Sequence, residues 1–279
     1  MTYDCIVIGA GPAGMVAAVQ LKRAGLKVSL IEKGEVGGLL RNANRVENYM
    51  GFPNASGKEL IKHFQDHLNE QKVPLIKEEV MEIGRDGEEF HVKTSNNTYL
   101  SRSVLIATGT IPKKACIEGE DNLAGTKLFY EVADMPDEDK KDIVIIGGGD
   151  AAFDYALNLT GKEHKVTIVT RGDISCLPLL KERADKQKIK FLTNTPVLSI
   201  QQASSGLEVQ CKSDSLHADY VFVAVGREPS YPRIAMQNRE GLYFVGDVQS
   251  GQYRQVHIAL GDALRVAMKI SSSLLTATT

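Results

Sequence analysis

Two short segments constrain this chain more than anything else in it: Ile6-Val-Ile-Gly9-Ala-Gly11-Pro-Ala-Gly14 and Val144-Ile-Ile-Gly147-Gly148-Gly149-Asp-Ala-Ala152. In each, an apolar run breaks into glycines spaced G-x-G-x-x-G or A and then resumes a helical pattern. The runs Cys5–Ile8 and Ile143–Ile146 suit strands of a parallel sheet with both faces covered. The glycines have separate tasks. One makes the tight turn, one lets a pyrophosphate approach the backbone, and one lets helix and strand pack closely; alanine is tolerated at the last. Free N–H groups and the dipole at the helix start then hold the phosphates. The pattern predicts helices over Met15–Ala24, closed by Gly25, and over Ala151–Leu159, with following strands at Lys27–Ile31 and Lys165–Val169.

The two openings differ at the ends of those second strands. The first has Glu32, an acid placed to accept hydrogen bonds from ribose hydroxyls. The second has Thr170 followed by Arg171; an arginine there either meets a 2′-phosphate, which leans toward NADPH, or is simply a solvated surface residue. Two such openings in one chain have a mechanical implication. One holds a flavin dinucleotide while the other presents a nicotinamide, so a hydride passes to the flavin and two electrons are stored for an acceptor. The repeated opening is the internal repeat of this sequence; the polar stretch Ser271–Thr279 reads as a tail.

Length and composition agree. A chain of 279 residues makes roughly two domains. With 43% hydrophobic residues, 25 glycines and 9 prolines, it is ordinary globular material and neither disordered nor collagenous. A net charge of −2 gives no electrostatic footprint for nucleic acid or an anionic membrane. No apolar run approaches a transmembrane span. Met-Thr-Tyr-Asp leads straight into the first strand, so no signal peptide is expected. Cys5, Cys116, Cys176 and Cys211 are scattered, no two of them in a C-x-x-C. A reduced, cytoplasmic protein with structural cysteines is the expectation.

Further segments carry a specific resemblance. They are Gly37-Gly38-Leu39-Leu, Val46-Glu-Asn48-Tyr-Met-Gly-Phe-Pro53, Leu105-Ile-Ala107-Thr108-Gly109-Thr-Ile-Pro112 and Val221-Phe-Val-Ala-Val-Gly226-Arg-Glu-Pro229. Gly241-Leu-Tyr-Phe-Val-Gly246-Asp247 and Tyr253-Arg254-Gln255-Val256 follow, then a helix over Ala259–Ile270. In this order, over nearly the whole chain, they resemble the low-molecular-weight thioredoxin reductase family of flavoproteins. The resemblance implies FAD on the first unit, NADPH or NADH on the second, and a homodimer. It implies flavin contacts at Gly9, Gly11, Pro12, Ala13, Gly14, Glu32, Lys33, Gly38 and Leu39. Asn48, Val80, Ala107, Thr108, Gly109, Gly246, Asp247, Arg254, Gln255 and Val256 complete that set. For the nicotinamide dinucleotide it implies Gly147, Gly148, Gly149, Asp150, Ala151, Ala152, Thr170, Arg171 and Gly226. The physical reading agrees at one point: a helix opening at Val256 puts its positive end near the anionic locus of a reduced flavin.

The departure from that family matters more than the match. Its redox-active C-x-x-C-D falls, counting back from Gly147, on Tyr130-Glu-Val-Ala133-Asp134. Both sulfurs are gone, so a dithiol relay cannot operate at that place. Leu128-Phe-Tyr-Glu-Val and Gly149-Asp-Ala-Ala-Phe-Asp-Tyr-Ala-Leu-Asn-Leu159 look like the branch that lacks the disulfide and reduces ferredoxin or flavodoxin. The family's second basic cluster survives only as Arg171, and the short interval from Pro229 to Gly241 leaves out a hairpin.

Other residues weigh less. His63 and His67 stand i, i+4 on a helix over Lys58–Glu70 whose apolar stripe is elsewhere, so they read as surface histidines; no metal is expected. His257, at a helix start, is a candidate to give a proton to the reduced ring. Tyr130 is a candidate to border the flavin, although packing between domains is the plainer role. Val80-Met-Glu-Ile and Glu89-Phe-His-Val-Lys predict a small β-meander.

The expected architecture is α/β, with two Rossmann-like three-layer domains: 1–111 with 236–279 binding FAD, and an inserted 112–235 binding NAD(P)H. The expected reaction is hydride transfer from NAD(P)H to FAD, then electron delivery to a ferredoxin- or flavodoxin-like partner or to a small quinone. A disulfide reductase using Cys116 or Cys176, and a non-catalytic FAD-binding redox sensor, are the alternatives.

Overall fold

The buried run Cys5–Ile8 forms β1, at the centre of a five-stranded parallel sheet. In this computed structural model, which describes residues 2–276, β1 pairs on one side with β2 (Val28–Glu32), and β2 with β3 (Leu75–Lys77). On its other side lies β4 (Val104–Ile106), which pairs with Leu242–Phe244. The chain thus moves outward from β1 in one direction and returns on the other side. The C-terminal end of β1 is therefore the switch point, where open α/β sheets leave their crevice.

Helix α1 (Pro12–Arg23) starts at the glycine loop, earlier than the apolar pattern predicts, with Pro12 in its first turn, where a missing N–H costs nothing. Ala13, Ala17, Ala18 and Leu21 of α1 share a core with Ala259, Ala263 and Ala267 of the C-terminal helix, Val256–Thr276. Alanines four apart line one stripe, and small side chains let two helices pack closely. That helix runs beyond the expected Ala259–Ile270 and takes in Ser271. The buried Ser271 hydroxyl donates to the Ala267 carbonyl at 2.9 Å, the way serine is accommodated inside a helix. The predicted tail is thus helical to Thr276; residues 277–279 lie outside the described residues.

Helix α2 (Gly57–Glu70) opens on a capping box between Ser56 and Glu59, buries Leu60, Ile61 and Leu68, and leaves His63 and His67 exposed. The meander forms as Val80–Asp86, Glu89–Thr94 and Thr98–Ser101, all antiparallel. A two-residue strand, Arg233–Ile234, joins it by pairing with Glu82 and Ile83. This pairing moves the return crossing. The chain divides into one unit that runs to Ile111 and resumes at Glu228, and a second, Pro112–Arg227. The return therefore precedes the expected 236.

The second unit repeats the plan. Its strands β5 (Leu128–Phe129), β6 (Asp142–Ile146), β7 (Lys165–Val169), β8 (Lys190–Leu192) and β9 (Tyr220–Val223) form a parallel sheet in the order β5-β9-β6-β7-β8. The end of β6 is its switch point. Helix α3 (Asp150–Thr160) buries Ala152, Phe153, Tyr155, Ala156 and Leu159, and α4 (Pro178–Lys186) contributes Ala184 to the same core. The opposite face is covered by an antiparallel sheet, Val197–Gln202, Leu207–Cys211 and Ser215–Ala218.

His164, at the entrance to β7, is 4% exposed. Its Nδ1 accepts the Lys141 N–H at 3.1 Å, and its buried Nε2 has no partner among the described residues. Burial first, and then the nearby Lys162 and Lys141, lower its pKa from 6.5. The neutral ring is thus favoured in the fold, so its stabilisation is present above the unfolded pKa and is lost as pH falls through the folded one. Melting followed by circular dichroism between pH 7.5 and 5 should show a fall in Tm that His164→Asn, which keeps an acceptor at the Nδ1 position, makes shallower. An equal fall in both proteins would mean that other groups carry the acid sensitivity.

Candidate functional site

Where β1 ends, Gly9 takes φ +100°, and a Cβ there would stand 2.6 Å from the Ala107 carbonyl oxygen. A Cβ on Gly14 would stand 1.8 Å from the Gly9 carbonyl oxygen. Only hydrogen fits, so the first turn of α1 is drawn directly against the end of the strand. Gly11 has room, its nearest neighbour being the Gly38 Cα at 3.8 Å from such a Cβ. Gly37 donates to the Ala10 carbonyl at 2.8 Å and so brings Gly38 and Leu39 beside the loop. Glu32 reaches the same place: its carboxylate accepts the Ala10 N–H at 2.7 Å and the Gly34 N–H at 2.9 Å. It borders a shallow cavity with Glu35, Gln65 and Lys77. Lys33 pairs with Glu79 instead, at 3.2 Å.

The stretch around Asn48 is fastened to the start of the C-terminal helix. Asn48 Nδ2 donates to Gln255 Oε1 at 2.8 Å, and the Met50 N–H donates to His257 Nε2 at 2.9 Å. The His257 ring stacks on Tyr49 with centroids 4.6 Å apart. His257, which the sequence suggests as a group to protonate or polarise the reduced ring, here holds the loop around Tyr49 through that hydrogen bond. Beside it, Arg254 Nε is buried with no hydrogen-bond partner among the described residues. A buried N–H of a cation without an acceptor fits a site completed by an anionic or carbonyl-bearing group.

Gly246, Asp247 and Val248 form a single turn after Leu242–Phe244, and Gly246 lies against Ala13 and Ala259. Sequence reasoning missed the residue that fixes this turn. Asp262, on the C-terminal helix, accepts the Gly246 N–H at 3.0 Å and Gln249 Nε2 at 2.7 Å, and Arg265 Nη2 at 2.7 Å on its other oxygen. Burial pushes the Asp262 carboxyl up, but these donors outweigh it and hold the pKa below its usual value. A lone acid on a helix face of small residues was the only signal. Ala107 is buried, Val80 half-buried in the meander, and the Thr108 hydroxyl donates to the Ser230 carbonyl while Ser230 N–H donates to Gly109.

In the second unit, a Cβ on Gly147 would stand 2.4 Å from the Ala224 carbonyl oxygen, and one on Gly148 2.8 Å from the Thr170 hydroxyl. Residues 170–177 close over this loop. The Ser175 N–H donates to the Gly148 carbonyl at 2.8 Å, and the Leu177 N–H to Asp150 at 2.7 Å. Ala152 is buried, Ala151 and Arg171 are exposed, and the Gly226 carbonyl accepts the Lys113 N–H at 2.9 Å.

Both units therefore set a glycine-opened helix start at the switch point of a parallel sheet. Over residues 3–237 the chain matches the family model described as pyridine nucleotide-disulphide oxidoreductase. It belongs to that family. Thioredoxin reductase from Bacillus subtilis is 33% identical, the match covering 96% of this chain and 93% of the relative. Thioredoxin reductase from Lactococcus lactis superposes with a TM-score of 0.87 at 28% identity, covering 97% of this chain and 99% of that one. A bacillithiol disulfide reductase from Staphylococcus aureus shares the fold, with a TM-score of 0.79 at 23% identity over the full length of both chains. Thioredoxin reductase-like members of the family use FAD and NADPH. Among the described residues of this oxidoreductase, no helix is long and apolar enough to cross a membrane.

In the stretch 130–134, Tyr130 and Glu131 are bound to partners of their own unit, while Ala133 and Asp134 are exposed. The Tyr130 hydroxyl donates to Glu120 at 2.8 Å. Glu120 is 2% exposed and also accepts the Ala115 and Ile117 N–H groups. Burial first, and then Glu120, push the Tyr130 pKa up. Glu131 is ion-paired with Arg227 and accepts the Tyr155 hydroxyl at 2.8 Å. The suggested flavin-bordering Tyr130 is thus tied to a carboxylate of its own unit. The cysteines are all unbonded. Cys5 is fully buried, and burial pushes its thiol up to about 12; Cys211 is buried too. Cys116, expected to be structural, is exposed, and Cys176 is half-buried.

Replacing Asp262 with alanine leaves the Gly246 N–H without its acceptor. Urea denaturation should show a loss of about 1–3 kcal/mol, with Asp262→Asn losing less. A change below about 0.5 kcal/mol would mean the turn is held by its packing alone.

Proposed function

We propose that this protein is an FAD-dependent NAD(P)H oxidoreductase that hands electrons from its flavin directly to an acceptor, with no protein dithiol between them. The observation that carries this reading is the commitment of Tyr130 and Glu131 to Glu120, Arg227 and Tyr155 in a family member that has no C-x-x-C. Bound FAD would accept a hydride from a reduced nicotinamide and keep the electron pair for an acceptor. The chain supplies binding and orientation. The N–H groups of Gly11, Ala13 and Gly14 at the start of α1 would hold the pyrophosphate, and Glu32 would take the ribose hydroxyls. Asp247 holds the ribityl chain on a turn that Asp262 steadies. Arg254 offers its spare N–H to the ring, and the helix start at Val256 favours negative charge there. Asn48 and His257 keep the loop around Tyr49 in place. In the second unit, the start of α3 and the loop Gly147–Gly149 receive the nicotinamide dinucleotide. A ferredoxin- or flavodoxin-like protein is the first acceptor to consider and a small quinone the second.

Cys116 favours a second reading. It is exposed and follows Ala115, whose N–H binds Glu120, the partner of Tyr130. A thiolate there would attack a small disulfide, expelling one of its thiols and leaving a mixed disulfide to be reduced by the next electron pair.

Anaerobic titration with NADH and NADPH, thiols counted before and after, separates the readings. A yellow protein bleached by two electrons per chain, its thiol count unchanged and Cys116→Ser equally active toward ferredoxin, flavodoxin or a quinone, supports direct transfer. With a small disulfide added, release of new thiols driven by NADH or NADPH and abolished in Cys116→Ser would establish the thiol route. A flavin that neither nucleotide bleaches would make the protein a sensor or carrier of FAD.

A further inference from the structure

The end of β7 carries the choice between the two nicotinamide dinucleotides. A ribose held at a glycine opening of this kind lies against the end of the second strand, so its 2′ substituent meets the side chains that follow. Here they are almost all neutral. Thr170 is 8% exposed, its hydroxyl beside Gly148, and Gly172 has no side chain. Ser175 gives its N–H at 2.8 Å and its hydroxyl at 3.3 Å to the Gly148 carbonyl. The adjoining turn, Thr193-Asn194-Thr195, carries no charge. It is pinned by the Asn194 N–H on the Gly172 carbonyl at 3.2 Å and the Thr195 N–H on the Thr170 carbonyl at 2.9 Å.

One positive and two negative charges remain. Arg171 is exposed and makes no ion pair among the described residues. Asp173 stands two positions on, held by Asn194 Nδ2 at 3.3 Å. Asp150, at the start of α3, is a second carboxylate on the same loop, bound to the Leu177 N–H. Lys181, the next basic residue along the chain, is ion-paired with Asp185 at 2.8 Å and lies over the Phe191 ring. A phosphate monoester brings close to two negative charges, and its water is replaced well only where several cations or N–H donors converge. One arginine beside two carboxylates is not such a place. A ribose hydroxyl asks for one neutral or anionic acceptor, which the Thr170 hydroxyl and the Asp173 carboxylate provide.

We infer that the second unit is built for a nucleotide with a free 2′-hydroxyl, NADH, with Thr170 and Asp173 setting the preference and Asp173 offsetting Arg171. This rests on reading that unit as the nicotinamide dinucleotide site, and it departs from the NADPH use of the thioredoxin reductase-like relatives.

Calorimetric titration of the full chain with 5′-AMP and with 2′,5′-ADP tests the preference without flavin chemistry. The expected result is 5′-AMP binding at least as tightly as 2′,5′-ADP. Asp173→Ser should then tighten 2′,5′-ADP by about tenfold and leave 5′-AMP within about twofold, the size of effect expected from removing one nearby like charge. Arg171→Ala should weaken only 2′,5′-ADP. If the unaltered protein binds 2′,5′-ADP about tenfold or more tightly than 5′-AMP, the inference is overturned while the nucleotide site stands. If neither fragment binds, the nucleotide site and the inference fall together.

Discussion

Both halves of this protein depend on a glycine loop at the end of a strand, at places too close to a neighbouring backbone for a Cβ. At Gly14, in the first turn of α1, that atom would stand 1.8 Å from the Gly9 carbonyl oxygen, and at Gly147, just after β6, 2.4 Å from the Ala224 carbonyl oxygen. Close approach turns the first N–H groups of α1 and α3 toward the crevice at each switch point, where they have no helical partner and a dipole behind them. A site made of backbone donors needs few side chains. That is why the surrounding residues are free to differ between the two units: Glu32 at one strand end, Thr170 and Arg171 at the other.

The units use their remaining side chains in opposite ways. In the first, distant segments are gathered around the loop. Glu32 bonds to Ala10, Asn48 to Gln255, Met50 to His257 and Gly246 to Asp262, each pair far apart in sequence. They leave Arg254 with a buried N–H that has no partner among the described residues, which fits a site completed by a ligand. In the second, Tyr130 and Glu131 are tied to Glu120, Arg227 and Tyr155. Breaking a half-buried pair such as Glu131–Arg227 is costly, so that stretch is a brace in this chain.

Local chemistry was legible in the sequence and long-range chemistry was not. The strands β1 and β6, the glycine turns and the acid at Glu32 were readable because buried runs and glycine spacing are local signals. The meander was readable from alternation. The return crossing was misplaced because Arg233–Ile234 is too short to show any periodicity; its partner Glu82–Ile83 alone makes it a strand. The C-terminal helix was cut short because serines read as a tail, whereas the Ser271 hydroxyl closes on the Ala267 carbonyl inside it. Asp262 and Glu120 escaped notice because each acts on groups brought near only by the finished fold. His257 was seen as a functional position, but its hydrogen-bonding sense depends on Met50.

The central claim is that the first glycine opening holds a flavin dinucleotide and the second a nicotinamide one. Hydrogen exchange by mass spectrometry, on flavin-loaded and flavin-depleted protein with and without NADH, tests it segment by segment. The account predicts that flavin slows exchange over 9–14 and 246–256, and that the nucleotide slows it over 147–152 and 170–175. Unchanged exchange over 9–14 on flavin loading, or nucleotide protection confined to the first unit, would contradict it.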